Sequence, residues 1–173
     1  LEMHELIRLN PDEIQRSDRF PLVLILDSIR SLSNVGSIFR TADSLGLQSV
    51  VLCGLTGQPP HREIQKTALG ATESVPWRYY QSIEDAIVRL KSEGYQIIAL
   101  EQAIPNIQLQ KFNPEKDQSM ALILGNEVSG VSDEALEFCD SVLEIPQFGA
   151  KHSLNVAVSA GIASWQIISN WIK

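Results

Sequence analysis

Cysteine and histidine are both scarce in this chain, and their spacing fits no metal site. The 173 residues include two cysteines, Cys53 and Cys139, and three histidines, His4, His61 and His152. Zinc sites and redox pairs need such side chains at short, regular separations, which these positions do not show. We therefore expect no metal, and we expect both cysteines to be reduced thiols in a cytoplasmic protein.

Three common signatures of phosphate binding and catalysis are also missing. The stretch Gly125–Gly130 has the glycine spacing of a phosphate loop, but Val131 stands where a P-loop needs lysine. No Gly-x-Gly-x-x-Gly follows the first apolar run, so the dinucleotide fingerprint is absent. No Gly-x-Ser-x-Gly elbow occurs either. The sequence therefore lacks the usual motifs for metal-assisted hydrolysis and acyl transfer.

Positive charge is in deficit as well. The chain has 14 lysines and arginines against 21 aspartates and glutamates, a formal net charge of -7. Because nucleic acids are normally bound by basic surfaces, this charge taken alone argues against a nucleic-acid partner. An acidic protein can still contain a local basic site. Five basic side chains fall near predicted loops or helix ends: Arg30, Arg40, Lys66, Arg78 and Lys151.

Uninterrupted apolar runs long enough for a membrane are absent too. The only long apolar segment, at the C-terminus, is broken by several polar residues, so we expect no membrane span. Those residues are Ser159, Ser164, Gln166, Ser169 and Asn170. The charged residues near the N-terminus are also unlike an export signal, which agrees with a cytoplasmic location.

What the chain does contain is a regular alternation of apolar runs and helical patterns. The runs predict six strands, at about 22–26, 48–53, 75–79, 96–100, 120–124 and 142–145. Continuous apolar runs are typical of parallel strands buried on both faces. The sequence therefore predicts an α/β fold, with a mostly parallel six-stranded sheet covered by helices on both faces. We expect residues 1–20 to form a short helical lead-in, 21–173 to form one domain, and 101–119 to form a peripheral loop.

The first predicted helix directs one arginine away from the core. We expect Asn34 to cap this helix, which runs to about Gly46 with its apolar residues on one stripe. At about 100° per residue, Arg40 lies opposite that stripe, with Gly36 one turn before it and open space beside it. The helix follows the carboxyl end of a buried strand, where open α/β sheets place their sites. Arg40 is therefore a candidate functional residue rather than an ordinary surface arginine.

The C-terminal segment Leu143–Lys173 combines a strand, a polar turn and a long apolar helix. Pro146 is expected to end the strand and Gly149 to permit the turn. Ser153 is the predicted N-cap of the last helix, with Asn155 two residues inside it. This helix is apolar on nearly every side, so we expect its own domain to cover one side and a second subunit another.

Three polar loops at predicted strand ends carry the remaining chemistry. They are Asn34–Arg40, Gly125–Gly130 and Pro146–Asn155, and they offer amides, hydroxyls, one carboxylate and one arginine. Any of these side chains taken alone could be a cap or a turn residue. No nucleophile with an activating base is present among them, so the set suits binding and positioning while a cofactor supplies the reactive group.

In order and spacing, three stretches resemble the motifs of the SpoU (TrmH-like) branch of the SPOUT RNA methyltransferases. They are Asn34–Ala42, Ile123–Gly130 and Ile145–Val156, and Lys66–Ala71 is similar to the family as well. The resemblance runs from about Leu22 to the C-terminus. It implies the SPOUT fold with a C-terminal trefoil knot, one of the rare exceptions to unknotted topology. It also implies S-adenosylmethionine (AdoMet) bound in the knot and an obligate homodimer through the C-terminal helix.

The resemblance assigns roles to individual residues. Arg40 matches the family's catalytic arginine, Asn34 the asparagine beside it, and Glu127 the glutamate of the second motif. Ser153 and Asn155 match the pair in the third motif that helps to hold the RNA phosphate or to order the site. By the same alignment the cofactor would lie against the main chain near four residues, Leu100, Gly125, Ile145 and Leu154.

These roles imply methyl transfer to a ribose 2'-hydroxyl of RNA. A guanidinium is effectively always protonated, so we expect Arg40 to act electrostatically on a phosphate rather than as a base. Among RNAs, tRNA is favoured, because rRNA enzymes of this kind often carry an extra module. Two alternatives are a non-catalytic RNA- or cofactor-binding module and a base methyltransferase. The intact set of five site residues argues against the first, and the Asn-to-Arg spacing of the first motif argues against the second.

Overall fold

A single parallel sheet of seven strands forms the centre of the computed structural model, which describes residues 19–150 and 153–172. The strands are β1 (Phe20–Asp27), β2 (Leu47–Cys53), β3 (Trp77–Tyr80), β4 (Gln96–Leu100), β5 (Ile107–Gln108), β6 (Met120–Leu124) and β7 (Ser141–Glu144). Their order across the sheet is β3-β2-β1-β6-β4-β7-β5, and all neighbours are parallel. The helices are α1 (Leu32–Ser44), α2 (Arg62–Ala68), α3 (Ala71–Ser74), α4 (Ile83–Ser92), α5 (Asp133–Phe138) and α6 (Val156–Trp171).

Alternate residues of the central strand β1 face two separate cores. Leu22, Leu24 and Leu26 belong to one apolar cluster, which α1 and α6 cover. Val23 and Ile25 belong to the other, which α4 and α5 cover. All five side chains are at most 1% exposed, as the period-two alternation of a strand requires when both faces are covered. The predicted α/β fold, with a parallel sheet and helices on both faces, is confirmed.

The prediction of six strands was wrong by one, because a strand of two residues lies in the segment expected to be a loop. In β5, Ile107 pairs with Leu143 and Gln108 with Glu144 of β7. This strand lies at the edge of the sheet, and Ile107 is 39% exposed. Two half-exposed residues give no apolar run, so the pairing depends on a partner strand more than thirty residues away rather than on a local pattern.

Two helix caps differ from the prediction. Helix α1 begins at Leu32 with Ser31 as its N-cap, and the Ser31 hydroxyl accepts a 3.3 Å hydrogen bond from the main-chain N–H of Asn34. Helix α6 has Asn155 as its N-cap, whereas Ser153 precedes the helix. In both places two residues suited to capping lie within three positions, so the local sequence does not decide which of them caps the helix.

Gly36 does not lie on the solvent side of the helix with Arg40, contrary to the prediction. It is buried where α1 crosses α2, and a side-chain carbon there would clash with the Ile64 carbonyl and the Thr67 hydroxyl. The glycine therefore permits close approach of two helices. The hydroxyl of Thr67 also donates a 2.9 Å hydrogen bond to the Ser33 carbonyl, which ties α2 to the start of α1.

Some predictions fall on residues that the structure does not describe. Residues 1–18 of the predicted lead-in lie outside the described ranges, and Phe20 begins β1. The C-terminal knot stays a prediction. No helix within 19–150 or 153–172 is long and apolar enough to cross a membrane. The same ranges contain no cluster of three or more histidine, cysteine, aspartate or glutamate side chains that could hold a metal ion.

Candidate active site

The three predicted polar segments converge at the carboxyl ends of the parallel strands, although the first of them is not a loop. Residues Asn34–Arg40 lie within α1, because this helix already begins at Leu32, and Asn34 is in its first turn. The second segment follows β6, and the third joins β7 to α6. Strands β1 and β6 are direct neighbours in the sheet, and β4 lies between β6 and β7. Because parallel strands all end on the same side, the loops meet at one edge, where α/β folds place their sites.

Glu127 joins the second loop to the first. One carboxylate oxygen accepts a 2.9 Å hydrogen bond from the main-chain N–H of Arg30, and the other accepts from the N–H of Ser31 at 3.0 Å and the amide of Asn34 at 3.0 Å. Burial raises the pKa of Glu127, but these donors outweigh it and hold the pKa below its ordinary value. The carboxylate therefore stays charged and fixes the start of α1.

Asn34 is also hydrogen-bonded to the third loop. Its side-chain oxygen accepts a 3.1 Å hydrogen bond from the amide of Asn155. The side-chain oxygen of Asn155 accepts from the main-chain N–H groups of Ala157 at 2.9 Å and Val158 at 3.3 Å, which caps α6. Glu127, Asn34 and Asn155 thus form one continuous hydrogen-bonded chain across all three loops.

A cavity of about 680 Å³ lies beside this chain. All four residues predicted to lie against a cofactor line it, namely Leu100, Gly125, Ile145 and Leu154, together with Glu127, Ser153 and Asn155. A volume of roughly 300–1,000 Å³ is usual for small-molecule and cofactor sites. Among the described lining residues there is no cysteine, histidine or lysine. The cavity therefore suits binding of a reactive cofactor better than covalent catalysis by a side chain.

Arg40 is not brought into this cavity. It is exposed on α1, as predicted, and six residues after Asn34 it lies about 9 Å further along the helix axis. It lines a second cavity of about 490 Å³ between α1, α2 and α6, which Thr67, Gly161 and Trp165 also line. The predicted site residues therefore divide into a connected group at the loops and one arginine on a different surface.

Other basic residues differ in how free they are to meet a phosphate. Arg78 makes two 3.0 Å hydrogen bonds to the carboxylate of Glu93, and this pairing raises the pKa of Arg78. Lys66 pairs with Glu63 at 2.7 Å. Arg30 is exposed next to the Glu127 carboxylate, whereas Lys151 lies outside the described residues. Of the five predicted basic residues, Arg30 and Arg40 are thus the described candidates for anion binding.

Sequence reasoning missed two carboxylates that shape the site. Asp27 accepts hydrogen bonds from both the N–H and the hydroxyl of Ser132, at 3.0 and 2.7 Å. Glu101 accepts from the N–H of Val131 at 2.9 Å and lines the cavity. Each is the charged residue that directly ends an apolar run, at β1 and β4, and that position was the available signal.

Asn126 is a turn residue, a role that the sequence alone also allowed for it. Its side-chain oxygen accepts from the N–H groups of Val128 and Ser129, at 2.9 and 3.2 Å. Its amide donates a 2.6 Å hydrogen bond to the Ser28 carbonyl. The side chain shapes its own loop and at the same time anchors it to the loop after β1.

Comparison with known proteins supports a single family. The model of the SpoU rRNA methylase family matches residues 21–165. The 23S rRNA (guanosine-2'-O-)-methyltransferase RlmB of Neisseria meningitidis is 32% identical over 151 residues, which cover 87% of this chain and 59% of that protein. A Staphylococcus aureus protein, whose name places it among the TrmH family tRNA/rRNA methyltransferases, is 32% identical over 84% of this chain and 57% of its own length.

A solved structure agrees with these relatives. The AdoMet-bound rRNA methyltransferase from Sinorhizobium meliloti superposes with a TM-score of 0.79 and 28% sequence identity, over 87% of this chain and 58% of that chain. The chain thus spans somewhat less than two thirds of the length of each protein it matches here. The match to the family model, residues 21–165, includes all three polar segments and the cavity that they surround.

Proposed function

Because the chain belongs to the SpoU rRNA methylase family, we propose that residues 21–173 bind S-adenosylmethionine and transfer its methyl group to a ribose 2'-hydroxyl of RNA. The observation that carries this proposal is the hydrogen-bonded chain Glu127–Asn34–Asn155, which borders a cavity lined by all four predicted cofactor residues. The name of the Neisseria relative specifies a guanosine 2'-O position, which supports ribose rather than a base as the acceptor.

The lining of the cavity fits S-adenosylmethionine. Leu100, Ile145 and Leu154 offer apolar surface to an adenosine group, and the main chain of the loop after β6 offers polar groups beside it. Two carboxylates, Glu101 and Glu127, suit a ligand that carries positive charge. When bound, S-adenosylmethionine supplies a methyl group on a positively charged sulfur, and its transfer leaves a neutral thioether and releases the hydroxyl proton.

The side chains of the site would act by positioning and by charge. Glu127 and Asn155 hold the side-chain amide of Asn34 in one orientation. This fixed amide could hydrogen-bond and orient a nucleotide at the mouth of the cavity. Ser153, exposed on the loop before α6, can bind a phosphate or a ribose oxygen through its hydroxyl. The exposed guanidinium of Arg40 can form a two-pronged contact with an RNA phosphate.

The RNA that is methylated is proposed only as a class. One relative is named for 23S rRNA and the other for tRNA and rRNA together. The predicted preference for tRNA has no support in these names, so both RNAs belong in the test. Because the net charge of the chain is -7, we expect most of the RNA affinity to come from local basic residues such as Arg30 and Arg40.

We expect the purified protein to transfer label from methyl-labelled S-adenosylmethionine to unmodified RNA, either total tRNA or 23S rRNA. Nuclease digestion and nucleoside analysis should yield a 2'-O-methylnucleoside. A label on a base would instead identify a base methyltransferase. Cofactor binding by calorimetry without label in either RNA would contradict the proposed transfer and favour a binding module.

We also propose a homodimer through α6. Val158, Ile162 and Trp165 are 51%, 41% and 54% exposed, and their i, i+4, i+7 spacing places them on one face. Apolar residues exposed in one stripe are typical of a covered interface.

We expect sedimentation velocity at micromolar concentration to give a dimer, and Trp165→Glu to give a monomer. Val88→Glu, on the exposed side of α4, is the matched control and should stay dimeric; a monomeric wild type would contradict the proposal.

A further inference from the structure

Glu101 is held in a defined place at the end of β4. Its main-chain N–H donates to the Leu143 carbonyl of β7 at 3.0 Å. One carboxylate oxygen accepts a 2.9 Å hydrogen bond from the N–H of Val131, and the other accepts from the N–H of Gln102 at 2.7 Å. The side chain therefore spans from β4 to the loop after β6, and both of these elements line the large cavity.

The loop opposite is shaped to receive this carboxylate. Gly130 has a φ of +74°, and a side-chain carbon there would clash with a carboxylate oxygen of Glu101. Only glycine adopts such a backbone without strain and leaves room for the carboxylate. The position of Glu101 is thus a consequence of the fold on both sides of the cavity.

The charged side chains in the described lining of the cavity have one sign. Its described lining includes three carboxylates, those of Glu101, Glu127 and Asp133, and no arginine, lysine or histidine. Glu127 accepts hydrogen bonds from two main-chain N–H groups and the Asn34 amide, which hold its carboxylate at the start of α1. Within 19–150 and 153–172, Glu101 accepts only from main-chain N–H groups, which carry no net charge, and no described cation neutralises its negative charge.

We propose that Glu101 determines ligand selectivity in this cavity, by favouring the positively charged S-adenosylmethionine over its neutral thioether product, S-adenosylhomocysteine. This inference rests on the proposed function. Transfer of the methyl group removes one positive charge from the bound ligand. A fixed negative charge in a partly enclosed site attracts the charged form more strongly than it would in water. Glu101 thereby strengthens binding of the cofactor and leaves binding of the product nearly unchanged, so fresh cofactor displaces the product more readily.

The test measures the dissociation constants of both ligands by isothermal titration calorimetry. Glu101→Gln removes the charge and keeps one hydrogen-bond acceptor, whereas Glu101→Ala removes both. We expect each variant to bind S-adenosylmethionine about tenfold more weakly and S-adenosylhomocysteine less than about twofold more weakly. Glu137→Gln makes the same charge change on the exposed side of α5, outside the cavity lining, and should alter neither constant.

The ratio of the two constants separates charge selectivity from a structural role. If Glu101 only held the loop, both ligands would weaken equally, with Glu101→Ala worse than Glu101→Gln, and this result would overturn the inference. Urea unfolding of each variant reports any general loss of stability, which leaves the ratio unchanged. A wild-type protein that binds neither ligand would overturn the proposed cofactor site itself, whereas normal wild-type binding with an unchanged ratio would overturn the role of Glu101 alone.

Discussion

Replacing Arg40 with alanine is expected to reduce methyl transfer to RNA by at least about 100-fold, because loss of its two-pronged contact with an RNA phosphate would misplace the ribose that receives the methyl group. The dissociation constant for S-adenosylmethionine should stay within about threefold of wild type, because Arg40 lines a different cavity from the proposed cofactor site. Single-turnover methyl transfer and calorimetry measure the two quantities separately. The expected result is a loss of turnover without a loss of cofactor binding.

Two further variants define what the loss means. Arg40→Lys keeps the charge but loses the planar two-pronged donor, so its activity should lie between those of wild type and Arg40→Ala. Arg89→Ala removes an exposed arginine from α4, on the opposite face of the sheet, and should retain activity within about twofold. Normal turnover by Arg40→Ala would contradict the catalytic role that the family resemblance implies for this residue.

The convergence of the three loops could be predicted from the sequence because it depends on a simple pattern. Each polar loop follows an apolar run, and parallel strands all end at one edge of their sheet. This pattern favours a position at one edge of the sheet for Asn34, Glu127 and Asn155. In the structure, hydrogen bonds of 3.0 and 3.1 Å join the three side chains.

The caps beside these residues could not be predicted in the same way. Near the start of α1, both Ser31 and Asn34 have side chains that can cap a helix. The Asn34 amide instead donates to Glu127, and its oxygen accepts from Asn155. Both partners lie more than ninety residues away in the chain, so no local pattern decides between a serine cap and an asparagine cap. At α6 the side-chain oxygen of Asn155 caps the helix while its amide donates to Asn34, so here the residue with the distant contact is also the cap.

The surroundings of Arg40 could not be predicted from the local sequence either. Helical periodicity correctly predicted that its side chain points away from the core. Periodicity within α1 contains no information about α6, which contributes Gly161 and Trp165 to the cavity beside Arg40. Glu101 is similar, because its hydrogen bond from the Val131 N–H joins β4 to the loop after β6, and only the strand order makes these two elements neighbours in space.

Gly125 belongs both to the tight loop after β6 and to the wall of the cavity. It follows β6, and the next residue, Asn126, exchanges two 2.9 Å main-chain hydrogen bonds with Gly130, which closes the loop back on itself. A side-chain carbon at Gly125 would clash with the main-chain atoms of Gly130 and Val131. Main-chain atoms cannot rotate away as a flexible side chain can, so the loop itself would have to move.

We therefore expect Gly125→Ala to lower the free energy of unfolding by about 2–3 kcal/mol in urea titrations. We also expect at least about tenfold weaker binding of S-adenosylmethionine, because Gly125 and Val131 both line the cavity. Gly149→Ala is the matched control: it adds the same methyl group where no described atom beyond the adjoining residues lies within 4 Å, and the backbone there is outside the left-handed region. That control should change stability by less than about 0.5 kcal/mol. Equal stability of the two variants would mean that the loop after β6 can shift at little cost, and the close contact of Gly125 with Gly130 would then not be what fixes this wall of the cavity.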